Sequence, residues 1–399
     1  MNLPKGWIEQ KFSDVAKVVT GNTPKTFDVD NYGGDLPFIT PSELKSSEAI
    51  INTPITISKK GETQARIIPE NAVLVCCIGS LGKVGITGRK SAFNQQINAL
   101  IFDSEQVYYR YGYHYCRTLK PILEHFAPST TVPIVNKGKF QEFKIPLPPI
   151  ASQRRIADIL DKADEIIRKR KEAIALTEQL LKSTFLDMFG DPVINPKGWD
   201  VVTLEQVAEK EKGAIKCGPF GSQLLISEFQ DIGIPVYGID NVQKNEFIWA
   251  KPKFITREKY QQLRAFSIKL NDVLISRTGT VGRTCIAPPN IPESIIGANL
   301  LKVSLDQNEM SSKYLSYALS YSEFLIQEIK NMSPGATVPV FNTSNLKSLK
   351  LANPPMDLQI KFNLMINKIQ EKIGKQKKSL QESENLFNSL LQKAFKGEL

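Results

Sequence analysis

The chain has 399 residues, 51 basic and 41 acidic, for a formal charge of +10, with 41% hydrophobic and 23% charged residues. That length suffices for two or three separately cored domains, and no run of about eighteen apolar residues marks a membrane span. Five cysteines without a C-x-x-C pair, and two histidines, argue against a zinc site, so the metal expectation is none. Buried reduced thiols and a cytoplasmic location fit the cysteine usage and a start that lacks a secretory apolar core. The basic excess suits a polyanionic partner, yet it is spread along the chain rather than gathered in a tail. Any nucleic-acid surface must therefore arise from folded placement of charge.

The first element is short and amphipathic, Phe12-Ser13-Asp14-Val15-Ala16, after the turn Pro4-Lys5-Gly6-Trp7. Residues 1–150 are rich in Gly, Pro and short β-branched or aromatic runs, which predicts strands joined by turns, while the Tyr-rich stretch 103–126 has a helical pattern. Pro148-Pro149 then marks the first turn of a long helix that runs to about Phe189. After it the chain repeats itself. Pro196-Lys197-Gly198-Trp199 returns at an offset of 192, and Asn271-Asp272-Val273-Leu274-Ile275 answers Asn71-Ala72-Val73-Leu74-Val75 at an offset of 200. Gly279-Thr280-Val281-Gly282-Arg283 answers Gly79-Ser80-Leu81-Gly82-Lys83, and Thr337-Val338-Pro339-Val340-Phe341-Asn342 answers Thr131-Val132-Pro133-Ile134-Val135-Asn136. A second helical stretch follows at 309–332, and Pro354-Pro355 introduces a second long helix. The expected fold is α+β: β-rich domains at 1–150 and 191–355, each followed by a long helix, at 151–190 and 356–399.

Both long helices carry a seam of apolar residues at alternating four- and three-residue steps. In the first it runs through Ile156, Leu160, Ile167, Ile174 and Leu181, and adding 206 finds Phe362, Ile366, Ile373, Leu380 and Phe387 in the second. Arg170 and Gln376 interrupt it at matching positions. Two similar helices of one chain most simply pair with each other, and a pseudo-two-fold relation between the halves makes that pair an antiparallel coiled coil.

A duplicated module that ends in Lys144-Ile145-Pro146-Leu147-Pro148-Pro149-Ile150-Ala151-Ser152-Gln153-Arg154-Arg155 before a long helix resembles the specificity subunits of type I restriction-modification systems. The resemblance spans the chain, through Gly6-Trp7 and Gly198-Trp199, the loops Thr20-Gly21-Asn22-Thr23-Pro24 and Cys217-Gly218-Pro219-Phe220-Gly221-Ser222, and both glycine loops. The second copy departs from the Leu-Pro-Pro form, with Ala352-Asn353-Pro354-Pro355-Met356, although Gln359 still answers Gln153. The resemblance implies that each globular part is a target recognition domain contacting one half of a bipartite double-stranded DNA site, with the helices setting the spacing. It also implies two methyltransferase (modification) subunits and restriction/translocase subunits as partners. No cofactor is expected on this chain; S-adenosylmethionine, ATP and Mg belong with those partners.

No chemistry of the chain's own is expected, so no catalytic residue is assigned. Asn353-Pro354-Pro355-Met356 lacks the aromatic of the amino-methyltransferase motif and sits at a helix start. Gly79-Ser80-Leu81-Gly82-Lys83 lacks the glycine and the Ser/Thr of a phosphate loop, since Cys77 and Val84 occupy those positions. His114 and His125 have no nucleophile at a recognised spacing. The alternatives are a coiled-coil scaffold that binds proteins and a stand-alone methyltransferase or nuclease. The residues expected to face DNA are Lys83, Arg89 and Lys90 in the first half and Arg277, Thr278 and Arg283 in the second, where glycines allow close approach. Gln95, Gln96, Asn98 and Asn299 are amide candidates for adenine, with structural capping as the competing role, and Lys25, Lys137 and Lys139 are candidates for phosphate.

Overall fold

The computed structural model describes residues 3–45, 47–127, 132–278, 282–331 and 342–399. They form two compact units, Met1–Ala173 with Gln376–Leu399, and Ile174–Lys375. In the first unit the strand Ile8–Lys11 pairs antiparallel with Lys144–Leu147, so the head closes on its own beginning. The main sheet runs in the order Ala16–Thr20, Ile97–Phe102, Val73–Cys76, Val84–Thr87, Ala49–Ile50. Every residue of Val73–Cys76 is buried because both faces of this sheet are covered. Val73, Val75 and Leu100 join the core shared with the helices, while the alternate residues Leu74, Cys76 and Ala99 join a second core on the other face. A smaller sheet pairs Tyr32–Ile39 with Thr56–Ile57 and, in parallel, with Ser91–Phe93.

The second unit repeats these pairings. Asp200–Thr203 pairs with Lys350–Asn353, the main sheet runs Ile215–Cys217, Leu300–Val303, Val273–Ser276, Thr284–Ile286, and Ile234–Tyr237 lies parallel to Ile295–Ile296 and antiparallel to Lys253–Ile255. The repeated asparagine before the central strand has a conformational reason: Asn71 and Asn271 both lie in the left-handed region, at φ 63° and 66°, which asparagine tolerates better than most residues. The helical stretch of each half is a pair of helices, Tyr109–Cys116 with Lys120–Phe126 and Ser312–Tyr321 with Glu323–Asn331.

The long helices span Ile150–Phe189 and Met356–Ala394, each starting immediately after its Pro-Pro step. Within the first unit Ile156, Leu160 and Ile167 share a core with Phe387 and Ala394, with Leu380 packed against it. Within the second, Leu181, Phe185 and Phe189 share a core with Phe362, Ile366 and Ile373. Ile174 is buried as well. Each unit thus joins one helix's beginning to the other's end. At the polar interruptions Arg170 donates to Ser379 Oγ, whereas Arg170 Nε and Gln376 Oε1 are buried without a partner among the described residues.

A buried glutamine fixes each head to its helix. Gln153 Oε1 accepts the Tyr108 N–H at 2.9 Å, and Gln153 Nε2 donates to Gln106 O at 2.9 Å and Pro148 O at 3.0 Å. Gln359 Oε1 accepts the Ser311 N–H at 2.9 Å, and its Nε2 donates to Asn353 Oδ1 at 3.1 Å and Pro354 O at 2.7 Å. Tyr111 and Tyr314 repeat a second bond, each hydroxyl donating to a strand carbonyl, Pro146 O at 2.5 Å and Ala352 O at 2.6 Å. Around these bonds the two units differ. In the first, Arg110 and His114 meet Asp161 at 3.2 and 2.8 Å, and Arg117 meets Asp164 at 2.7 Å. In the second, Lys313 meets Asn367, and Gln370 donates to the Tyr317 hydroxyl at 3.0 Å.

Two predictions follow from this joint. Gln153→Ala removes a buried amide that pairs the Tyr108 N–H and two carbonyls, so the first unit loses about 1–3 kcal/mol, read as a lower urea midpoint. His114 is fully buried, and burial pushes its pKa below the ordinary value against the opposing pull of Asp161. Its Nε2–H donates to Asp161, and among the described residues its Nδ1 has no partner to receive a proton's hydrogen bond. The folded chain holds this ring neutral while the unfolded chain protonates it below about pH 6.5. Its contribution is therefore complete above that pH and is lost as pH falls through it. Urea midpoints measured between pH 7.5 and 5.5 should fall for the wild type and fall less steeply for His114→Gln.

Candidate nucleic-acid interface

Three turns meet at one edge of each main sheet. In the first unit Gly79 and Gly82 take φ 74° and 76°, and the Gly82 N–H closes the turn on Cys76 O at 3.0 Å. A Cβ on Gly82 would lie 2.7 Å from Lys120 Cβ and 3.0 Å from its Cα, so this position needs glycine for space as well as for conformation. The turn is pinned on both sides, by Cys77 N–H to Gln96 O at 2.8 Å and Gly79 N–H to Pro133 O at 3.0 Å. Beside it, Gly21 crosses the end of Ser91–Phe93 so closely that a Cβ would sit 2.1 Å from Asn94 O. Several of these features recur among the described residues of the second unit. Gly282 takes φ 84° and its N–H reaches Ser276 O at 3.0 Å, Arg277 N–H reaches Asn299 O at 3.0 Å, and a Cβ on Gly218 would sit 2.0 Å from Gly297 O. Residues 279–281 of this loop, Thr131, and 337–341 of the other repeat lie outside the described residues.

The side chains on these edges are not alike. In the first unit Thr23 Oγ1 donates to Gln95 Oε1 at 2.6 Å, Asn94 Nδ2 donates to Gln96 Oε1 at 2.9 Å, and Gln96 Nε2 reaches Ile78 O at 3.4 Å. In the second, Arg277 Nη1 donates to Cys217 Sγ at 2.7 Å and Ala298 O at 3.3 Å, its guanidinium lies 6.0 Å from the Phe220 ring, and its Nε is buried without a partner among the described residues. Thr278 is half-buried and Asn299 exposed next to it. Of the thiols, Cys76, Cys77, Cys116 and Cys285 are buried and free, whereas Cys217 is half-exposed at this edge.

Lys83 and Arg283 take matching places just after the glycine turn. Lys83 Nζ reaches Pro41 O at 3.4 Å, and Arg283 Nη1 donates to Gln243 Oε1 at 3.1 Å. Arg89 and Lys90 are not brought to this edge: they follow the far end of the strand Val84–Thr87, where Arg89 donates to Asp35 O and Lys90 pairs with Glu62 at 3.6 Å. Lys25 is exposed, 5.9 Å from the Phe27 ring. Lys137 and Lys139 stand on the short helix Lys137–Gln141, capped by Asn136, with Lys139 Nζ 4.0 Å from the Phe126 ring. Asn98 is a correction to the sequence reading. It is buried and accepts from Thr20 Oγ1 at 2.6 Å, because strand alternation turns it inward. Thr23, Cys217 and Phe220 also stand on these candidate edges, although they are not among the residues the sequence singles out to face DNA; aligning the two loops across the repeat is the signal that points to them.

Asn353, the residue shared with the methyltransferase motif, donates to Glu309 O at 3.2 Å and accepts from Gln359, so it serves the helix start. Among the described residues no group of three or more His, Cys, Asp or Glu is placed to hold a metal ion, and no helix is long and apolar enough to cross a membrane.

The family model for the type I restriction modification DNA specificity domain matches this chain twice, over residues 4–176 and 196–386. The chain belongs to that family. The type I restriction enzyme MjaIX specificity subunit of Methanocaldococcus jannaschii is 26% identical, covering 100% of this chain and 94% of that one. The EcoBI specificity subunit of Escherichia coli is 21% identical over 100% of this chain and 87% of its own length. The fold is that of solved specificity subunits: a type I S subunit from M. genitalium aligns with a TM-score of 0.59 at 16% identity over 99% of this chain and 97% of that one. A chain from a study of complex assembly and conformational transition in the type I R-M system aligns with a TM-score of 0.60 at 20% identity over the whole of both.

The glycine crossings give a stability test. Gly21→Ala and Gly218→Ala each force a carbonyl to move, which costs about 1–3 kcal/mol by analogy with overpacked cores. Differential scanning calorimetry should show a lowered transition for either variant, while Gly6→Ala, whose Cβ meets nothing within 4 Å, loses only the smaller cost of its φ of 85°.

Proposed function

We propose that this specificity-family chain is the DNA-reading, non-catalytic subunit of a type I restriction-modification complex, each head reading one half of a bipartite duplex site. The observation that carries this reading is the duplicated sheet edge: matching backbone bonds among the described residues of both units present different side chains. A device for reading two unlike half-sites needs one frame and two surfaces. Arg277, Thr278, Asn299, Gln95 and Gln96 stand on those edges, Lys83 and Arg283 flank them, and Lys25, Arg89, Lys90, Lys137 and Lys139 supply cations elsewhere on the heads for phosphate.

The long helices pair, in this reading, as an antiparallel coiled coil. What supports it is that each unit buries the beginning of one helix with the end of the other along the matched seam. Forty residues at ~1.5 Å rise make the first helix roughly 60 Å long, more than the ~34 Å of one DNA turn, so the pair is long enough to set a spacer. The same helices dock two methyltransferase subunits, and restriction/translocase subunits join the full complex. S-adenosylmethionine, ATP and Mg are carried by those partners, and the chemistry is theirs.

The test is binding of the purified full chain to duplex DNA by fluorescence anisotropy at several salt concentrations. Arg283→Ala should weaken binding several-fold and reduce the slope of log affinity against log salt by about one, the signature of one lost phosphate contact. Lys169→Ala, on the first long helix, should change neither. Equal losses would remove the edge from the interface, and salt-insensitive or absent binding would overturn the DNA reading.

A further inference from the structure

The two heads can be compared position by position, because the same backbone hydrogen bonds set the correspondence. Cys77 N–H to Gln96 O matches Arg277 N–H to Asn299 O, and Gly21 N–H to Ile97 O matches Gly218 N–H to Leu300 O. Both half-sites of a duplex offer the same phosphate backbone but different bases. A position that meets phosphate therefore needs the same chemistry in both heads, and a position that meets bases does not. Lys83 and Arg283 are cations in matching places. By contrast Arg277 stands where the first unit has the buried Cys77, and Phe220 stands where it has Thr23.

The surroundings of Arg277 point the same way. Its Nη1 is held by a thiol, a weak acceptor, and by one carbonyl, while its Nε is buried with no partner among the described residues. A half-buried guanidinium so poorly satisfied is stabilised by a stronger planar acceptor pair, and the Phe220 ring beside it restricts its orientation. Resting on the DNA-reading function proposed above, we infer that Arg277 is a specificity-determining residue of the second unit, reading the O6/N7 edge of a guanine in that unit's half-site, with Cys217 holding the side chain in place before DNA arrives. The equivalent edge of the first unit, built from Thr23, Gln95 and Gln96, reads a different base, so the bipartite site is asymmetric.

The experiment is selection from a random duplex pool with the full chain, comparing wild type, Arg277→Lys and Arg277→Ala. The wild type should enrich a bipartite motif. Both variants should lose roughly 5- to 150-fold of the preference for one guanine, with the other half-site unchanged. Arg277→Lys keeps the charge and loses the fork, so a phosphate contact would survive it. An unchanged motif with Arg277→Lys, or a loss of affinity uniform across sequences with Arg277→Ala, overturns the assignment while leaving the DNA-reading function standing. A wild-type pool with no enriched motif overturns that function, and the assignment with it.

Discussion

The joint between head and helix depends on one buried side-chain amide in each unit. A helix start leaves backbone groups without partners, and here the Pro-Pro step removes two donors and leaves carbonyls facing inward. Gln153 and Gln359 resolve this by bonding on both sides at once: their Nε2 groups satisfy a proline carbonyl at the helix start, and their Oε1 atoms accept an N–H of the segment leading into the head's own helix. Because an amide has a fixed separation between oxygen and nitrogen, this double bond pattern sets a distance as well as a contact. Tyr111 and Tyr314 add a second fixed point on the last strand of the head. Two points define an axis, so the sheet edge that carries the site has one orientation on its helix.

The bonds to the proline carbonyl and to the N–H before the head's helix recur in both units, while the contacts that flank them differ. The flanking contacts differ in charge. Arg110 and Arg117 find Asp161 and Asp164, and either cation placed against Asn367 or Gln370 would be half-buried without a counter-ion. Losing one partner of such a pair costs more than the pair contributes when intact. The neutral contacts of the second unit, Lys313 aside, would leave Asp161 and Asp164 unpaired in the same way. The core shows the same separation of the two copies: Lys302 and Asp272, 3.3 Å apart and almost wholly buried with Ser304 Oγ bonded to the carboxylate, stand where the register of the first unit has Ala99 and Ala72.

The architecture was legible in the sequence because its signals are periodic or absolute. Apolar spacing marked the long helices, and proline cannot continue one, so Ile150 and Met356 begin where the Pro-Pro steps predicted. The repeat carried the strands, and Asn71 and Asn271 recur because a left-handed residue is needed before the central strand. The site was less legible, since what selects its residues is proximity across turns far apart in sequence. Arg89 and Lys90 share a loop-like stretch with Lys83 in the chain, yet four residues of strand carry them to the opposite end of the sheet. Asn98 looked like Gln95 and Gln96 by composition, and only the alternation of its strand shows it facing the core. Thr23, Cys217 and Phe220 gave no signal of their own; their meaning comes from what lies beside them.

The glycines explain how one frame can tolerate such divergence. Gly21 and Gly218 pass so close to a neighbouring carbonyl that no side chain fits, and Gly82 and Gly282 close their turns with backbone bonds to the central strand. None of these constraints involves a side chain of the residues that follow. The frame is therefore held by backbone and core, with Val73, Val75 and Leu100 in one head and Val273, Ile275 and Leu301 in the other fixing the sheet beneath it. The backbone bonds that close these turns do not pass through the side chains at 23, 95, 96, 220 and 277, so the turns persist where those side chains differ. That separation of scaffold from surface lets a single fold, duplicated within one chain, present two unlike faces.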